Sequence, residues 1–221
     1  MMGAAFYNFL STLSTKLYVM KTVAVFLLLL HGTSAGPVPT VSDSQAAVEA
    51  LTNARALTLR LHGKAETAYD AFIQEEFSGD SGYCAEQIIW EELINTRMTT
   101  MEWRQLGDEE RLQRLRRDLQ VFGLYLEEVR LDELDKDGHT DTAEAVGDAI
   151  DQLNGLMTSI AITNNVLGFR SPADVPEITT LRDPPSEYAR SIRDCVVLRD
   201  FKNLVYRVHR DFTVLLSKYR S

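Results

Sequence analysis

One pattern limits the folds open to this chain more than any other. Apolar residues recur at intervals of three and four over four long segments, and none of these alternates with the period of two that a half-buried strand needs. From Ser42 to Phe77 the stripe is Leu51, Ala54, Leu57, Leu61, Ala65, Ala68 and Phe72. The second stripe, behind an Asp108 expected to cap it, is Leu112, Leu115, Leu119, Phe122, Leu126 and Val129. The third opens on Asp141 and Glu144 as a capping box and carries Val146, Ala149, Ile150, Leu153, Met157, Ile160 and Leu167. In the fourth, Ser186 is the expected cap, and Phe201, Leu204, Val205, Val208, Phe212, Leu215, Leu216 and Tyr219 line one face. The spacing predicts helices over 42–77, 108–136, 141–168 and 186–219.

The connections decide how such helices can be arranged. Ser78-Gly79-Asp80-Ser81-Gly82 breaks the first helix, and no clear period returns before Trp103. Pro172, Pro176, Pro184 and Pro185 mark a second long connection, whereas Asp137-Gly138 leaves only a short turn between the second and third helices. A short turn makes its helices antiparallel neighbours, and a long crossover carries the chain from one end of a bundle to the other. Long, short, long therefore predicts an all-α fold: a long-chain four-helix bundle of up-up-down-down topology with two long crossover loops.

Residues 1–35 are set apart from that domain. Lys16 and Lys21 precede the apolar run from Thr22 to Leu30, followed by His31-Gly32-Thr33-Ser34-Ala35, the layout of a secretory signal peptide. The run is far shorter than the roughly 20 residues a membrane span needs. Cleavage after Ala35 leaves 36–221 as a single secreted, extracellular domain with no stable membrane insertion. In that oxidising setting Cys84 and Cys195 can close one disulfide. Two unpaired buried thiols are the alternative, since the Cα separation that decides between them is not written in the sequence.

Residues 36–221 carry 21 basic against 32 acidic side chains. That balance argues against nucleic acid as a partner, because backbone binding needs a dense basic surface. The fourth helix departs from it, with eight Lys or Arg against four Asp or Glu over 187–221. His62, His139 and His209 sit on three different segments without metal-ligand spacing, and no phosphate loop or nucleophile elbow is present. The expectation is a non-enzyme with no cofactor and no metal. Glu133, Asp135, Asp137, Gly138, Asp141 and Glu144 approach the offsets of a calcium loop, but Thr140 stands where an apolar residue normally packs. A structural acidic turn accounts for every residue. Arg111, Arg114, Arg116 and Arg117, interleaved with Glu109, Glu110 and Asp118, are expected to form a solvated, salt-bridged face.

The stretch Trp103-x-x-Leu106-x-Asp108-x-Glu110-Arg111-Leu112-Gln113 resembles the corresponding stretch in the ciliary neurotrophic factor, cardiotrophin-like and leukaemia inhibitory factor branch of the interleukin-6 class of cytokines. Ser159-Ile160-Ala161, Leu167-Gly168-Phe169 and Phe212-Thr213-Val214 extend the resemblance along the chain. It implies a secreted ligand, monomeric before it meets its receptors, that crosslinks class I cytokine receptor chains. Those would be the shared signal-transducing chain and a leukaemia-inhibitory-factor-type receptor. Trp103 is a receptor-contact candidate on the same grounds. The family's Phe-x-x-Lys docking motif, counted back without gaps from Phe212, falls on Val196 and Arg199. At 100° per residue these two are about 60° apart on a helix and face away from the Phe201, Val205, Val208 and Phe212 stripe, so both are expected to be exposed. A lipid carrier or a structural interaction module is the alternative reading of the same acidic, amphipathic helices.

Overall fold

In the computed structural model the described residues are 41–91, 93, 94, 96, 98–136, 140–170 and 184–220. All belong to one compact unit, Pro39–Ser221, and the expected signal segment lies outside them. Among the described residues the fold is all-helical: α1 (Val41–Phe77), α2 (Thr100–Gln105), α3 (Asp108–Leu134), α4 (Asp141–Val166) and α5 (Glu187–Arg220), with a 3-10 turn at Ser81–Cys84. The long helices end within two residues of the periodicity boundaries, because apolar stripes of this length leave little choice.

The expected stripes make the core. Leu51, Leu61, Phe72, Leu112, Leu119, Phe122, Leu126, Val146, Ile160, Phe201, Val205, Val208 and Phe212 are fully buried or nearly so, while Leu57, Leu167 and Tyr219 pack at its margin. Burying one such side chain contributes about 1.5–3 kcal/mol. α1 packs on α4 and α5, and α3 packs on the same two helices. On α1, alanines at 47, 50, 54, 65 and 68 are buried, and such small side chains let neighbouring backbones approach. On α3 the close approach is at Gly123, where a Cβ would sit 3.3 Å from Leu153 Cδ2.

Polar contacts record which ends of the helices meet. Glu76, in the last turn of α1, accepts from Ser191 Oγ at 2.6 Å near the start of α5, while Arg55 Nε donates to Thr213 Oγ1 at 3.0 Å towards the other end of α5. Asp108 begins α3 and accepts from Lys218 at 2.6 Å, and Asp132 near its end takes the Arg193 guanidinium. Glu75 accepts the Asp141 N–H at 2.8 Å, and Lys64 reaches Asp148 at 2.6 Å. Glu109 accepts the Arg170 N–H at 3.1 Å.

Three expectations about helix starts and charged faces are corrected. Gly107, not Asp108, is the N-cap of α3 and supplies no side-chain bond; Asp108 is the first helical residue, where its charge suits the helix dipole. Thr140 caps α4 through the Ala143 N–H, so Asp141 and Glu144 form no capping box; the Asp141 N–H is satisfied by α1 instead. The α3 arginines are not one solvated face. Arg114 and Arg117 pair with Asp118, but Arg111 and Arg116 are buried. Ser186 does accept the Ala189 N–H at 3.2 Å. Asp137, Gly138 and His139 lie outside the described residues.

Candidate functional site

Helix α5 begins in an unusual way: seven consecutive residues, Arg193 to Arg199, are buried. An amphipathic helix exposes part of every turn, so this one is enclosed on all sides at its start. What lies against its outer side is segment 84–90, between α1 and α3. Cys84, in the 3-10 turn, is disulfide-bonded to Cys195 with a Cα–Cα distance of 5.8 Å. That resolves the choice between a bridge and two free thiols.

One turn further on, Arg199 fixes this segment a second time. Its Nη1 donates to the Cys84 and Ala85 carbonyls at 3.0 and 2.6 Å, its Nη2 to the Ile88 carbonyl at 3.0 Å, and its Nε to Asp200 at 2.9 Å. The planar fork of arginine is suited to several acceptors fixed in one plane. Within segment 84–90 the Ala85 and Trp90 carbonyls also accept backbone N–H groups, from Ile88 and Leu93, and α5 supplies the donors to the Cys84 and Ile88 carbonyls and a second one to Ala85.

The expectation that Val196 and Arg199 are exposed is therefore overturned. Val196 is 0% and Arg199 5% exposed. Both do lie opposite the main stripe, but that side is covered by segment 84–90 rather than by water. Exposure passes to the covering segment, where Ile89 is 66% exposed.

Trp103 lies at the other end of the bundle's α3–α5 interface, half-buried in α2. Its indole N–H donates to Asp211, and its ring is flanked by the Arg111 and Arg210 guanidiniums, 4.7 and 4.2 Å from the ring centroid. Arg111 closes the group: Nη1 donates to Asp211 at 2.7 Å and Nη2 to the Trp103 carbonyl at 2.9 Å. Burial raises the Asp211 carboxyl, and the Trp103 and Arg111 donors oppose that rise. Trp103 and the Val196–Arg199 pair are thus not brought together. The short helix α2 itself was missed from periodicity, although Thr99 and Glu102 form a capping box that the sequence displays.

A third cluster joins the ends of α1 and α3 to the start of α5. Arg193 donates to Asp132 and Asp194, Lys136 bridges Glu76 at 2.5 Å and Glu133 at 2.6 Å, and Arg190 lies 3.7 Å from Asp132. Four carboxylates thus share three cations. Burial, with Asp132 and Glu133 nearby, pushes the Asp194 carboxyl up to about 7 despite its bond to Arg193. Burial likewise raises Glu133, the first acid of the calcium-like spacing, which is committed to Lys136 and Thr140.

A carboxyl raised on folding binds its proton more readily in the folded than in the unfolded chain, so its contribution falls as pH rises between the two values. Asp194 should therefore make the protein more stable at pH 5.5 than at pH 7.5. His209, lowered first by burial and then by Arg55 and His62, works in the opposite sense as pH falls. The readout is thus comparative: melting curves should rise more on acidification for the wild type than for Asp194→Asn. Equal pH slopes would refute the assignment.

The fold does bring His62 and His209 within electrostatic reach of each other, across α1 and α5. No group of three side chains able to hold a metal occurs among the described residues, and none of the described helices is long and apolar enough to cross a membrane. Comparison with protein-family models finds no match to this chain, and comparison with curated proteins finds none.

Proposed function

We propose that this chain is a secreted helical cytokine that crosslinks two class I receptor chains. The observation that carries the reading is the pairing of helix ends. The end of α1 meets the starts of both α4 and α5, and the start of α3 meets the end of α5 and the residues just past α4. These contacts support parallel α1 and α3 opposed to parallel α4 and α5, the up-up-down-down plan with crossovers after α1 and after α4. A single continuous core, rather than a set of separable amphipathic helices, favours this reading over a lipid carrier.

On this reading the family's docking positions act from beneath the surface. Val196 and Arg199 are buried, Arg199 shapes segment 84–90, and Ile89 on that segment is the side chain that meets the second receptor. Trp103 and its flanking arginines form a separate contact candidate. The function involves no chemical step, and its partners are receptor ectodomains rather than nucleic acid.

The test is a reporter assay on cells expressing the shared signal-transducing chain, the leukaemia-inhibitory-factor-type receptor, or both. Purified, cooperatively folding protein should signal only in cells with both chains, and Ile89→Glu should lower potency about 10-fold or more, as for loss of a central apolar contact. Silence in every cell line with folded protein would reject the cytokine reading. Folding only in the presence of lipid would favour the carrier.

A further inference from the structure

Arg116 is the most anomalous charge among the described residues. It is 8% exposed, its Nε is buried without a hydrogen-bond partner, and no ion pair to it occurs among the described residues. A buried guanidinium without a counter-charge is costly, and native structures rarely leave one so. Its neighbours on α3 show the ordinary outcome: Arg111 is held by Asp211, and Arg114 and Arg117 by Asp118. Burial alone lowers the guanidinium's proton affinity, with no carboxylate opposing it.

A second orphan lies across the interface. Asn164 on α4 is 2% exposed, and neither its amide nitrogen nor its amide oxygen has a partner. The register of the two helices relates them. Positions 109, 116, 123 and 130 of α3 are seven apart and share one line along the helix. The other three all meet α4 or the residues just past it: Glu109 at Arg170, Gly123 at Leu153, and Arg130 at Gly147. Interpolation puts Arg116 opposite the turn around Ile160 and Ala161. Side chains on a helix lean towards its N-terminus, which for α3 is the direction of Asn164.

From this juxtaposition we propose that Arg116 and Asn164 form a binding site for a small oxyanion at the α3–α4 interface. The guanidinium supplies charge and directed N–H donors, and the Asn164 amide adds one N–H, a donor set fitted to sulfate, phosphate or a carboxylate. The depth of Arg116 restricts access to small species. The chain's formal charge of −9 disfavours polyanions, which would be repelled on approach. The site is independent of the receptor reading, since neither residue belongs to the faces assigned there.

The test uses the full secreted chain with inorganic phosphate and sulfate as probes, in chloride buffers of matched ionic strength. Both oxyanions stabilise proteins generally, so the comparison is with Arg116→Met, which keeps much of the volume and removes the charge. The wild type should show a saturable rise in melting temperature about 3–5 °C beyond that of the variant at tenfold saturation. Parallel rises would overturn the site. If the variant does not fold, the guanidinium resonances of Arg116 in the wild type decide: a saturable shift on phosphate titration supports the site, and no shift overturns it. Asn164→Leu should weaken the response without abolishing it.

Discussion

Replacing both Cys84 and Cys195 by alanine is expected to cost about 4–5 kcal/mol of unfolding free energy. The bridge closes a separation of 111 residues, and for loops of roughly 100 residues the chain-entropy treatment gives close to 4.7 kcal/mol. Alanine rather than serine is the informative replacement. Both positions are buried, and a serine hydroxyl there would add an unsatisfied polar group to the loss being measured. Urea unfolding of the wild type and the double variant, read as the shift in midpoint at constant slope, gives the value. A loss below about 1 kcal/mol would mean that other contacts hold segment 84–90 so firmly that the covalent link adds little.

Arg199→Met is expected to cost about 3–5 kcal/mol. The substitution removes the donors to three backbone carbonyls and leaves Asp200 without the guanidinium. The Ala85 carbonyl keeps the Ile88 N–H, so two carbonyls, those of Cys84 and Ile88, are orphaned, each at about 1–3 kcal/mol if it stays buried. Arg199→Lys should recover only a fraction, because an ammonium cannot present a planar fork to acceptors on both sides of the turn. Global unfolding gives the total, and amide hydrogen exchange of the crossover in the folded variant separates loosening of this segment from general destabilisation. Unchanged stability in Arg199→Met would show that water satisfies those carbonyls and that the arginine does not hold the crossover.

The long helices could be read from the sequence because each repeats its apolar signal over many turns, so that no single residue decides the assignment. Phe72, Phe122, Ile160 and Phe212 were identified as core by spacing alone, and all are fully buried. Helix caps were less legible. Thr140 lies one residue before Asp141, both can cap, and the choice turned on Glu75, which is distant in sequence and takes the Asp141 N–H. The start of α5 was illegible for a deeper reason. Periodicity identifies the face turned towards other helices, but it carries no information about an irregular segment laid over the opposite face. Val196 and Arg199 therefore have the angular signature of a free surface while serving as the floor beneath a loop. Arg111 and Arg116 share that ambiguity, since interleaved charges at helical spacing look alike whether their partners are on the same helix, on another, or missing.

The double attachment of the crossover to α5 also bears on the order in which the protein can be made. Segment 84–90 leaves the ribosome well before residues 195–199, so through the synthesis of α3 and α4 its carbonyls and its thiol have neither the donors nor the partner they meet in the finished fold. The crossover can be seated only after α5 has been delivered. During that interval Cys84 has no Cys195 to pair with, and the shape of one exposed edge waits on the last helix.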